Sequence, residues 1–220
     1  VHQVCRPPQL AEECEPGSMP TLGDGLCVAH GLECPSLSEW HEEDTLRGLA
    51  DGFEGRIVYV APDGDDGLGT GERQAPLLTL EKALDVAASG DIVALGVGEY
   101  REQVRVGKGV GIIGACVSGT RIHSDVPSGS FAGVLGIRSE RPVRVGQLSI
   151  SGVRVGVRAE GPGTVELHSV AVVETEGFGV LAIGAQTQVF IEDTLIEGTR
   201  SREADGKFGR GFGIEEGALL

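Results

Sequence analysis

The chain has 220 residues, a formal net charge of −15, 36 glycines and only 4% aromatic residues. That length holds one sizeable domain plus an appendage, with a core built from Val, Ile, Leu and Ala because aromatics are too few to fill it. The charge repels phosphate backbones and argues against nucleic acid as a partner, no run approaches the about 20 apolar residues of a transmembrane segment, and the glycines keep no triplet period, which excludes collagen.

Residues 1–55 carry four of the five cysteines, Cys5, Cys14, Cys27 and Cys34, among breakers such as RPP, EPGSMP and CPSLSEW. No C-x-x-C pair occurs, so the segment reads as a small module stapled by disulfides in an oxidising compartment rather than as a zinc site. Four cysteines allow three pairings, and spacing does not choose among them. The fifth, Cys116, stands in the apolar run GVGIIGACV, either as a buried thiol or as the anchor tying the N-terminal segment to the main domain. A short helix is expected around Glu39–Leu49, with Trp40 as a packing anchor.

From Arg56 the texture changes. IVYV (57–60) is a strand pattern, followed by the polar loop APDGDDGLGTGERQAP. A helix is predicted over about 80–88: Thr79 suits the N-cap, Leu80, Ala83, Leu84 and Ala87 form one apolar face, and Ser89-Gly90 ends it. DIVALGVGEY, EQVRV and GVGIIGACV then read as strands, and short strands recur to the end.

The recurrence has a period. VRVGQLSISG (143–152), VELHSVAVVE (165–174) and VFIEDTLIEG (189–198) align at steps of 22 and 24, which matches Val143 with Val165 and Val189, and Ile150 with Val172 and Ile196. Gly-Val at 133–134, 156–157 and 179–180 repeats at 23, and Gly213-Ile214 follows after an insertion. A period in the low twenties with alternating apolar residues is a solenoid signature. The expected fold is therefore all-β: a right-handed single-stranded parallel β-helix over 56–220, with coils from about 91. The 80–88 helix would cap its first coil, and the Cys-rich segment 1–55 would precede it. Val1 in place of Met suggests a removed upstream segment, and GFGIEEGALL begins a further unit, which suggests that the solenoid continues.

Residues 57–115 carry IVYVAPDGDD, LGTGERQAP, LTLEKALDVAASGDIVALGVGEYREQV and VGIIGA. This stretch resembles the N-terminal coil of the pectin-lyase-like superfamily, and the whole chain resembles its Cys-rich bacterial surface or secreted type. The resemblance implies the β-helix and a carbohydrate context, not one activity, since the fold hosts lyases, esterases, adhesins and tailspikes.

Gly98, Tyr100 and Glu102 match a pectin-methylesterase pattern that is also a structural turn. The later coils supply Asp193 alone, so the carboxylate pair for acid–base work is missing. Arg144, Arg154 and Arg158 cluster in sequence, and the repeat sets Arg144 beside Glu166 as a surface bridge. Asp63, Asp65 and Asp66 crowd carboxylates into one loop; calcium is the cofactor such a loop could take, but the full D-x-D-x-D-G spacing with a distal Glu is not met and an ordinary polar turn accounts for it better. His123 and His168 have no partner at ligand spacing and read as surface or turn histidines. The insertion at 200–211, with Arg200, Arg202, Asp205, Lys207 and Arg210, is the first place to look for ligand binding. The expectation is an extracytoplasmic protein that binds polysaccharide or a cell-surface glycan without catalysis. The alternative is a polysaccharide lyase or esterase.

Overall fold

The computed structural model describes residues 18–20, 27–126, 133–153, 155–201, 206 and 209–219, with the side chains of 18–20 and 27–29 outside that description. In chain order come β1 (Ser18–Pro20), β2 (Cys27–Ala29), α1 (Glu43–Leu49), β3 (Ile57–Val60), α2 (Leu80–Val86), β4 (Ile92–Leu95), β5 (Gly98–Arg101) and β6 (Val104–Val106). Then follow β7 (Gly111–Gly114), β8 (Thr120–Ser124), β9 (Leu135–Ile137), β10 (Val143–Gly152), β11 (Val157–Glu160), β12 (Thr164–Thr175), β13 (Phe178–Ile183), β14 (Gln188–Glu192), β15 (Leu195–Glu197) and β16 (Arg210–Glu215). Strands β1 and β2 form an antiparallel pair. The rest make two parallel sheets. One of nine strands runs β14–β12–β10–β7–β4–β3, with β15 on β12 and β8 between β10 and β5; one of five runs β16–β13–β11–β9–β6.

This arrangement corrects the expected fold class. In place of an all-β closed single-stranded β-helix there are two mostly parallel sheets with few helices, and β3–α2–β4 is an α/β feature: parallel neighbours joined by a crossover that carries a helix. The physical reason is that a sequence period fixes which residues stack between successive units. It does not fix how the strands within one unit close.

The stacking itself follows the repeat in the larger sheet. Val143 pairs Val165, which pairs Val189, and Ile150 pairs Val172, which pairs Ile196. These side chains, with Val58, Val60, Val93, Leu95 and Ile112, fill one aliphatic core. Between Thr175 and Thr199 the hydroxyls lie 3.2 Å apart. In the smaller sheet the Gly-Val alignment slips. Leu135, not Val134, pairs Val157, and Phe212, not Ile214, continues the ladder from Val180. Side chains alternate faces along a strand, so this register turns Leu135 and Ile137 inward and leaves Gly136 between them on the outer face.

Helix α2 lies where the capping helix was expected and packs on β3, β4 and β6. Its exposed N–H groups find acceptors locally and from afar. Thr79 Oγ accepts from Lys82 N at 3.1 Å. Glu102 accepts from Leu80 N and Glu81 N, both at 2.9 Å. Burial pushes the Glu102 carboxyl above its ordinary value, against the lowering by these two donors. Tyr100, buried and with its phenol pushed up by that burial, shares its hydroxyl hydrogen between Val60 O and Gly96 O, each at 3.0 Å. The Gly98-x-Tyr100-x-Glu102 pattern thus braces a turn and the helix start.

Residues 30–53 lie along the larger sheet. Trp40 packs edge-on to Tyr59, with ring centroids 5.1 Å apart, and its indole N–H points at Val60 O and Ala94 O at 3.2 and 3.0 Å. With Leu46, Ala50 and Phe53 it forms a second core on the far face of β3 and β4. Cys34 is bonded to Cys116, the anchor arrangement rather than the free thiol. Beyond it, Leu32 N donates to Gln147 Oε1 at 2.8 Å, and His30 Nδ1 stands 3.4 Å from Asp193. Gln147, Ser169 and Asp193 all adopt the left-handed backbone, with φ of 56°, 53° and 46°, at corresponding corners of successive units. Among the described residues no helix is long and apolar enough to cross a membrane.

Candidate functional site

Strands β6, β9 and β11 each alternate a buried aliphatic, an outward residue and a buried aliphatic. The register sets the outward residues in one row, Arg105–Gly136–Arg158. Two strand spacings separate the arginine backbones, about 9.5 Å. Gly136 makes the row a groove, because a Cβ there would find only Val104 O, at 3.7 Å. The cleft over it measures about 430 Å³ and also takes in Gln103, Gly133, Arg138 and Glu160. It runs on past Gly107 to Lys108, Glu140 and Arg141.

Over the floor three cations, Arg105, Arg138 and Arg158, therefore face one carboxylate, Glu160, in a chain of net charge −15, and the continuation adds Lys108 and Arg141 together with Glu81, Asp85 and Glu140. Two of the cations are engaged: Arg158 holds Glu160 at 2.9 Å, and Lys108 Nζ donates to Ala87 O at 2.8 Å, closing the end of α2. Among the described residues Arg105, Arg138 and Arg141 stand in no ion pair. Gln103 Nε2 donates to Gly133 O at 3.0 Å and fixes one rim. A planar guanidinium at each side of an open floor suits carboxylate or sulfate oxygens.

Compared with models of known protein families and with curated proteins, the chain matches none.

The residues singled out from sequence fall elsewhere. Of the insertion, Arg202, Asp205 and Lys207 lie outside the described residues. Arg200 and Arg210 are exposed and meet at Gly177, whose N–H donates to Arg200 O at 2.8 Å and whose O accepts from Arg210 N at 3.0 Å. Cys5 and Cys14 lie outside the described residues, as does the side chain of Cys27. Arg144 pairs with Glu166 at 2.6 Å, the cross-strand bridge the repeat implied. Arg154 lies outside the description, and Arg158 belongs to the groove.

The aspartate loop spends its carboxylates on its own backbone. Asp65 Oδ1 accepts from Gly67 N and Leu68 N, at 2.7 and 2.9 Å. Asp66 accepts from Leu78 N at 2.8 Å, Thr79 N at 3.0 Å and Thr79 Oγ at 2.7 Å. Burial works upward on Asp66, but the bonds from Thr79 and Leu78 together with Lys82 hold its carboxyl below the ordinary value. Among the described residues no three His, Cys, Asp or Glu side chains gather as a metal donor set. We expect Asp66→Ala and Glu102→Ala each to lose about 2 kcal/mol, the scale of hydrogen bonds to a charged acceptor. Asp63→Ala should change stability by less than about 0.5 kcal/mol. Urea unfolding of the three variants checks this; an Asp63 effect as large as that of Asp66 would contradict the bracing role.

Sequence order concealed one hydrogen-bonded relay. His123 stands between Ser151 Oγ, 2.8 Å from Nδ1, and Asp125 Oδ1, 2.7 Å from Nε2. The residues are those of a serine nucleophile and its base. However, Ser151 is 1% exposed, so an acyl group does not reach its oxygen. His123 and Ser151 are register partners on β8 and β10, and the relay ties those strands together.

The groove was invisible from sequence for a specific reason. Aligning Val134 with Val157 sets Leu135, not Gly136, beside Arg158 and scatters the row. The signal that could have found it is the shared pattern of VRV, LGI and VRA at 104–106, 135–137 and 157–159.

Proposed function

We propose that the chain is an extracytoplasmic carbohydrate-binding protein that acts without catalysis, its basic groove taking the anionic groups of an acidic glycan. The observation that carries this reading is the row Arg105–Gly136–Arg158: two guanidinium groups across an open floor. The net charge of −15 does not forbid an anionic ligand. Screening at physiological salt extends over about 8 Å, so the three arginines that face one carboxylate over the floor govern what the cleft meets. The carboxylate nearest the floor, Glu160, is held by Arg158, and no second carboxylate lines that floor for acid–base chemistry. The Cys34–Cys116 disulfide supports an oxidising compartment.

Calorimetric titration with a panel of acidic and neutral oligosaccharides tests the proposal. Acidic chains should bind, with affinity falling steeply as salt is raised, and neutral chains should not. Arg105→Ala and Arg158→Ala should each weaken binding about tenfold, the equivalent of about 1.4 kcal/mol. Gly136→Leu should block the groove while leaving both arginines in place. Absence of binding across the whole panel would sink the proposal, and release of unsaturated sugar products would replace it with a lyase.

A further inference from the structure

We infer that the anionic group seated over Gly136 is a tetrahedral ester, a sulfate or phosphate monoester carried by the glycan, and not a planar carboxylate; this rests on the groove being the glycan site. The register surrounds one glycine with three guanidinium groups. Arg105 and Arg158 flank Gly136 on the neighbouring strands, each one strand spacing away, about 4.8 Å. Arg138 stands two residues along β9, on the same face and about 6.6 Å from Gly136. All three line one cleft of about 430 Å³. Arg105 and Arg138 are exposed and, among the described residues, stand in no ion pair. The side of the floor opposite Arg138 carries no cation: Gln103 Nε2 donates to Gly133 O at 3.0 Å and forms that rim.

The directions of approach decide between anions. Arg105 and Arg158 come from opposite sides along the line that crosses the strands, and Arg138 comes at a right angle to that line. A carboxylate presents two oxygens in one plane, and a single forked guanidinium occupies both side by side. A sulfate or phosphate ester presents three terminal oxygens, one for each guanidinium, and its bridging oxygen leaves toward the cation-free rim. The charges agree, since three positive groups meet the single carboxylate of Glu160. Glu160 lies diagonally across from Gly136, about 8 Å away between backbones, which is about the distance over which physiological salt screens. Arg158 holds it at 2.9 Å, and a guanidinium, with five N–H donors, bridges a carboxylate and a ligand at once.

One neutral backbone with three substituents isolates the shape of the anion: short dextran chains sulfated, phosphorylated or carboxymethylated to equal charge density, titrated by calorimetry. One or both esters should bind about tenfold more tightly than the carboxymethylated chain, and the tighter of the two names the substituent. Arg138→Ala should abolish that preference by weakening the esters alone. Arg141→Ala takes the same charge from the continuation of the groove and should leave the preference in place. Equal binding of the three chains, or the same loss of preference in both variants, would overturn the inference and leave the acidic-glycan reading standing. So would binding of none of the three by a protein that does bind the acidic oligosaccharides of the panel above. Failure with both sets would remove the reading and the inference together.

Discussion

Replacing Cys34 and Cys116 together by serine should lower the folding free energy by about 4.5 kcal/mol, the chain-entropy figure for a loop of this length. The two cysteines are 82 residues apart in sequence, so the bond denies the unfolded chain a large set of conformations. In the folded state the bond holds a segment that meets several units in turn. Trp40 meets β3 and β4, Cys34 meets Cys116, Leu32 meets Gln147, and His30 meets Asp193. Apart from the disulfide, the hydrogen bond and ion pair that residues 30–34 make to Gln147 and Asp193 are each worth about 1 kcal/mol net. They do not hold an extended segment against its conformational entropy unaided. Urea unfolding with and without reductant measures the loss, and amide exchange over 30–41 locates it. Protection there should fall before that of the core strands. An unchanged unfolding midpoint in the double variant would contradict the account.

Much of this architecture was readable because it rests on apolar alternation and caps. Val143, Val165 and Val189 announce a shared stack through spacing alone. Thr79, followed by apolar residues at three- and four-residue intervals, announces α2. Cys116 inside an apolar run left a buried thiol and an anchor both open, and the bond to Cys34 makes it the anchor. Where the reading failed, the deciding quantity was not carried by residue type. A repeat of 22–24 does not encode how a unit closes, so the sequence suggested a β-helix where two sheets and a helical crossover stand. A one-residue ambiguity between Val134 and Leu135, both apolar, moved the register of the smaller sheet and hid the groove. The corners at Gln147, Ser169 and Asp193 take left-handed backbone at a cost of about 1 kcal/mol each. None of them is glycine, so no local signal marks them. Three of the candidate ligand residues of 200–211 lie outside the described residues, and the cations that share the described cleft come from strands and the turns that follow them.

Adjacent residues on β12 should respond to substitution in opposite ways, and this is the sharpest test of the ladder. Val165 is 4% exposed and lies between Val143 and Val189, at 0% and 1%. Val165→Asp places a carboxyl among aliphatic side chains with no polar partner in the stack. Ionised, it is strongly penalised; protonated, it still leaves a polar group unsatisfied. The cost should be about 5 kcal/mol or more, comparable with the whole stability of a typical domain at about 5–15 kcal/mol. The variant should lose cooperative unfolding and protease resistance. Glu166, one residue on, faces outward to Arg144 at 2.6 Å with both side chains partly solvated. Glu166→Ala should cost about 1 kcal/mol or less, since water and ions already weaken the pair. Circular dichroism and limited proteolysis of the two variants make the comparison directly. Equal stability would mean that Val165 does not face the core, and the in-register aliphatic stack would then fail as the basis of this fold.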